Sequence, residues 1–86
     1  MPTISAFYGM LIQMCFRDHV PPHFRVAYGD YTASIDINKM ELLGGALPRR
    51  ALDLVLDWTE LHQAELLENW RLCAARQAPL PISPLE

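Results

Sequence analysis

The residues of this chain that could do chemistry are gathered in one short stretch, Asp18-His19-Val20-Pro21-Pro22-His23-Phe24-Arg25. Imidazoles exchange protons near neutral pH, and guanidinium groups bind phosphate oxygens. His23 flanked by Arg17 and Arg25 has the side chains needed to cleave a phosphodiester. His23 would act as general base or acid, the two arginines would hold the phosphate, His19 would assist, and Asp36 would orient the imidazole. Pro21-Pro22 stiffens the stretch and excludes a helix, so His19 and His23 are not an i, i+4 metal pair. A third ligand would have to come from Cys15 or Asp18, and the spacing matches no zinc pattern. No metal or other cofactor is expected. The same residues also suit an architectural role, with Asp18 and His19 bonding the backbone of a tight corner and His23 an ordinary strand residue. Both readings stand on the sequence.

A second constellation is Pro48-Arg49-Arg50. Two arginines at a predicted helix start oppose the helix dipole, and a bound anion would relieve that. The plainer expectation is two solvated arginines paired with Asp53 or another nearby acid. Asp36, Arg49 and Arg50 are thus the candidates for ligand or anion binding. Trp58, His62 and Trp70 recur at helical spacing, which reads as core. Ser5, Ser34 and Ser83 have no acid–base neighbourhood, and Gly44-Gly45 lacks the rest of any phosphate-loop motif.

These side chains are positioned by a strand-rich half, 1–45, a helical half, 47–76, and a tail, 77–86, expected to form one domain. The predicted class is α+β. Its antiparallel meander has about four strands: Ile4–Phe7, Met10–Arg17, Phe24–Tyr28 and Tyr31–Ile37, with a short stretch Met40–Leu43 to complete it. In the second strand Met10, Ile12, Met14 and Phe16 share one face. Gly29-Asp30 has the glycine first, as a type II′ hairpin turn needs. That register sets Val26 opposite Ala33 and Phe24 opposite Ile35 on the core face, and Arg25 opposite Ser34 and His23 opposite Asp36 on the other face. Gly44-Gly45 is expected to break the pattern.

Pro48 suits the first position of a helix. Its apolar stripe is Ala51, Leu54, Val55, Trp58, Leu61 and His62. The phase slips between His62 and Ala64, which predicts either one kinked helix or two consecutive ones. The second would run from Glu65 to about Arg76 with Leu66, Trp70, Cys73 and Ala74 on its apolar face. Prolines 79, 81 and 84 keep the tail out of helix, so an extended tail is expected. Leu80, Ile82 and Leu85 are apolar enough to dock on this chain or on a partner.

The bulk numbers narrow the function. The 86 residues carry 7 Lys+Arg against 10 Asp+Glu, a net charge of −3, so bulk charge does not draw the chain to nucleic acid. Cys15 and Cys73 form no C-x-x-C motif and read as reduced, buried thiols. No apolar run is long enough to span a membrane, and the N-terminus has no basic region before an apolar stretch, so a cytoplasmic location is expected.

The chain resembles the bacterial family called domain of unknown function 4160. The resemblance is carried by Met1-Pro2-Thr3-Ile4, Phe7-Tyr8-Gly9, Asp18-His19-Val20-Pro21-Pro22-His23, Tyr28-Gly29-Asp30, Leu47-Pro48-Arg49-Arg50-Ala51, Trp58, Leu61-His62 and Glu65-Leu66 with Trp70. Two positions depart from the family pattern. Arg25 stands where a second histidine is usual, and Asn38-Lys39 stands where a glycine is common. The resemblance implies a two-gene, toxin–antitoxin-like module whose other member is often of the family called domain of unknown function 2442. A protein partner is therefore expected, met through a strand edge, a helix face or the apolar tail. The competing expectation is a small metal-independent endoribonuclease toxin acting on RNA through His19, His23, Arg17 and Arg25. The third is a nucleic-acid-binding regulator. The sequence leaves the oligomeric state open, a homo-oligomer included.

Overall fold

A computed structural model describes the whole chain, Met1–Glu86. Five strands come first: β1 (Thr3–Phe7), β2 (Met10–Gln13), β3 (His23–Tyr28), β4 (Tyr31–Asp36) and β5 (Glu41–Gly45). Two helices follow, α1 (Arg49–Leu61) and α2 (Gln63–Ala74). The strands form one antiparallel sheet in chain order, so each hairpin links spatial neighbours. Both helices pack on the same face of the sheet, and the core lies between the layers.

The β3–β4 register is the expected one at every position. Val26 pairs with Ala33, Phe24 with Ile35, Arg25 with Ser34 and His23 with Asp36. Gly29 takes φ +55 in the turn, a conformation open to glycine without steric cost. The first hairpin closes on the Phe7–Met10 pair, with Tyr8 at φ +49 and Gly9 at φ +79 between them.

Three strand expectations are corrected. The sheet has five strands, because Glu41–Gly45 pairs along β4. Gly44 and Gly45 do not break it. Ser34 pairs with Gly44 while Ile35 pairs with Leu42, so Leu43 is an extra residue that bulges out and lets the strand continue. Gly45 sits at φ +77 against Thr32, where a Cβ would lie 2.2 Å from the Thr32 carbonyl oxygen. The second strand stops at Gln13, not Arg17: its last pairing is Gln13 with Arg25, and the Met14 N–H instead donates to Pro2 O at 3.1 Å. Met14 is still buried, but Phe16 is exposed.

Trp58 anchors the helical layer. It is fully buried, lies 5.3 Å from Phe7 and 5.7 Å from Phe24 ring to ring, and donates its indole N–H to Ser83 O at 2.8 Å. The helices are two, divided at His62, whose φ of −121° leaves the helical range. Gln63 fixes the new direction by donating to Ile37 O at 3.0 Å. Leu61 is 69% exposed and leaves the predicted α1 stripe, whereas His62 keeps to it, its ring 5.5 Å from that of Trp58. On α2, Ala74 is exposed and Asn69 takes a place in the buried set instead. The Asn69 amide clamps the tail, donating to Leu80 O and accepting from Leu80 N–H, both at 2.8 Å. Ile82 is buried and its N–H donates to Ile4 O at 2.8 Å, so residues 77–86 lie against β1 and α2 while forming neither helix nor strand.

Candidate functional site

The stretch from Asp18 to His23 folds back on itself. The Val20–Pro21 peptide is cis. His23 Nδ1 lies 2.8 Å from Pro21 O, and its Nε2 lies 3.1 Å from Asp18 Oδ2. Asp18 Oδ1 accepts the His19 N–H at 2.7 Å. A neutral imidazole has one N–H and can satisfy one of these two acceptors, whereas an imidazolium satisfies both. The His19 N–H bond, reinforced by the nearby His23 and a bond from the Cys15 thiol, holds the Asp18 carboxyl below its ordinary value despite some desolvation.

His23 does not stand on an open sheet face. Its side chain is 16% exposed, and its ring lies 5.2 Å from that of Trp70. The cause is the corner, which begins at Met14, and the end of α2, which covers it. Arg17 N–H donates to Cys73 O at 3.1 Å, tying loop to helix. Cys15 and Cys73 are both free thiols. Cys15 is half-buried rather than buried, and Cys73 is buried, with its thiol pushed up by desolvation and by Cys15 nearby. No group of three or more His, Cys, Asp or Glu side chains is placed to hold a metal ion.

The remaining candidate residues are not assembled around His23. Asp36 does not orient the imidazole. It is buried, and its Oδ1 accepts the N–H groups of Asn38 and Lys39, both at 2.9 Å, closing the β4–β5 turn. Asp18 holds the place the sequence assigned to Asp36. His19 is exposed, with no side-chain hydrogen bond, and Val20 beside it is 81% exposed. Arg17 is exposed at φ +51. Arg25 borders a shallow depression of about 260 Å³ with Thr32, Ser34, Gly44 and Gly45. None of the cavities is lined by more than one of His19, His23, Arg17 and Arg25. Arg49 pairs with Asp53 at 3.6 Å in solvent, as the spacing predicts. Arg50 instead lines a cavity with Tyr8 and Tyr28.

The family model described as "Domain of unknown function (DUF4160)" matches residues 9–71. The chain belongs to this family. No match was found among curated proteins or solved structures. The DUF4160 match spans the Asp18–His23 corner, both hairpins around β3, and the helices through Trp70, but stops short of Cys73. No helix of this DUF4160 member is long and apolar enough to cross a membrane.

Sequence reasoning missed the place of four residues. Trp70 and Cys15 surround His23 and Asp18, but only the fold brings α2 to the loop. Tyr8 and Tyr28 flank the Arg50 cavity. Their signal was present, since each stands at a two-residue hairpin turn, and successive hairpins of a meander place alternate turns at the same end of the sheet.

Proposed function

We propose that this protein acts by binding a cognate protein partner, as one component of a bacterial toxin–antitoxin-like two-gene module. The observation that carries the reading is the inequality of the two sheet edges. The β1 edge receives the tail through the Ile82–Ile4 hydrogen bond. β5 has no neighbour on its outer side, and all five of its residues are exposed, Leu42 by 40% and Leu43 by 46%. A bare edge offers unpaired N–H and C=O groups to a strand from another chain, and exposed apolar side chains add area to that contact. The binding partner proposed is a member of the family called domain of unknown function 2442, which the family resemblance implies.

The chemistry of the corner supports binding over catalysis. Both ring nitrogens of His23 face acceptors, and the ring lies 5.2 Å from that of Trp70. A general base needs a free nitrogen facing the substrate. The arginines that would hold a phosphate point to no common cleft. Isothermal titration with the product of the adjacent gene tests the proposal. Saturable binding is expected, and no heat of binding at tens of micromolar, roughly the upper range for a specific complex, would sink it. A growth assay comparing wild type with His23→Ala tests the endoribonuclease alternative. Toxicity that depends on His23 in an equally stable variant would favour the enzyme.

A further inference from the structure

Phe7-Tyr8-Gly9, Tyr28-Gly29-Asp30 and Leu47-Pro48-Arg49-Arg50-Ala51 are far apart in sequence, yet they meet at one end of the sheet. There they enclose a cavity of about 210 Å³ lined by Tyr8, Met10, Tyr28, Pro48, Arg50 and Leu54, among others. Tyr8 is held at φ +49, a conformation that non-glycine residues rarely adopt, and its ring is 56% exposed. Tyr28 stacks on Tyr31 at 6.5 Å. Arg50 is the only charged residue of the lining. Arg49 is occupied by Asp53 and Arg71 by Glu68, whereas no carboxylate lies within ion-pair reach of Arg50. Two tyrosines and an unpaired arginine over an apolar floor form the residue mix that concentrates binding energy at protein interfaces.

We propose that this cavity anchors the protein partner by seating an acidic side chain of that partner on the Arg50 guanidinium, with an adjacent apolar side chain between Tyr8 and Tyr28. A guanidinium pairs a carboxylate through parallel hydrogen bonds, and the Met10 and Leu54 floor suits the apolar neighbour. A nucleic acid fits less well. Asp53 and Asp57 follow Arg50 on the exposed side of α1 and would face a phosphate backbone. The cavity is joined to the open edge by a short connection. Only Ala46, Leu47 and Pro48 separate the end of β5 from the start of α1, and Pro48 itself lines the cavity. The inference rests on the partner-binding reading and adds a chemical identity for the occupant.

The experiment measures partner affinity by titration for wild type, Arg50→Glu, Tyr8→Ala and Arg49→Glu, with thermal unfolding as a check on folding. Arg50→Glu and Tyr8→Ala are expected to weaken binding by about ten-fold or more, and Arg49→Glu by less than about three-fold, because Arg49 lies outside the cavity. Wild-type binding with Arg50→Glu unchanged, or with Arg49→Glu equally weak, overturns the anchor and leaves the partner-binding reading intact. No binding by wild type overturns the partner-binding reading itself. The anchor then stands or falls on a second measurement, an NMR titration with N-acetyl-leucyl-glutamate amide. Shifts at Tyr8, Tyr28 and Arg50 that vanish in Arg50→Glu support it. Absence of such shifts, or larger shifts with a short single-stranded RNA, overturns it.

Discussion

Replacing His23 by alanine separates a structural corner from a catalytic one. The two imidazole nitrogens lie within hydrogen-bond distance of Pro21 O and the Asp18 carboxylate, and the ring lies 5.2 Å from that of Trp70 with 16% of the side chain exposed. A hydrogen bond to a neutral acceptor contributes about 0.5–1.5 kcal/mol, and one to a charged group about 1.5–3 kcal/mol. The Asp18 side chain is 25% exposed, so water recovers part of the second. Adding a modest loss of ring packing, His23→Ala should destabilise the fold by about 2–4 kcal/mol. In a chain of this size that lowers Tm by roughly 10–25 °C. His19→Ala removes an exposed ring with no hydrogen bond and should stay within about 0.5 kcal/mol of wild type. Urea unfolding followed by tryptophan fluorescence reads both, since Trp70 lies against His23. A residue kept for catalysis is commonly neutral or stabilising to remove. Stability of His23→Ala within about 0.5 kcal/mol of wild type would therefore refute the structural reading of the corner.

Other perturbations probe separate elements. Gly45→Ala should cost more than about 2 kcal/mol in urea unfolding, since it combines a left-handed backbone with a Cβ 2.2 Å from Thr32 O, whereas Gly44→Ala, in open space, should cost under about 1 kcal/mol. Asn69→Ala removes both bonds to Leu80, and limited proteolysis should then cut residues 77–86 faster while the sheet stays intact. Asp18 has a folded value below its ordinary 3.8, so its contribution is complete above 3.8 and is lost as pH falls through the lower folded value. Asp18→Asn should therefore lower stability at neutral pH and flatten the acid limb of the stability–pH curve below 3.8.

Much of the sheet was legible because local chemistry determines it. Glycine at the first turn position and the alternation of Phe24 and Val26 against Ala33 and Ile35 admit one register, since a slip of one residue would turn these side chains to solvent. The limits of the elements were less legible. Met10, Ile12, Met14 and Phe16 keep a strand period beyond Gln13, where the chain leaves the sheet for the corner, and side-chain alternation carries no mark of that departure. Gly44-Gly45 resembles a break in a linear reading, but the bulge at Leu43 that carries β5 past them is a property of two strands together. The helix break was visible as a phase slip at His62, while Leu61 shared the apolar spacing without a surface to cover. The corner was visible as a cluster, but its wiring was not. His23 faces Asp36 in register, yet its ring turns to Asp18 because the proline-stiffened loop folds back and Asp36 is consumed by its own turn. The Arg50 cavity joins three distant segments, a juxtaposition that no local pattern encodes.

The open β5 edge is the surface through which we propose this DUF4160 member acts on a protein partner. Hydrogen–deuterium exchange with and without the product of the adjacent gene tests it most directly. In the complex the amides of Glu41–Gly45 should exchange more slowly, by about ten-fold or more, with the tail-covered β1 edge unchanged. Saturable binding that leaves β5 exchange unaltered, or no binding at all, would contradict the claim.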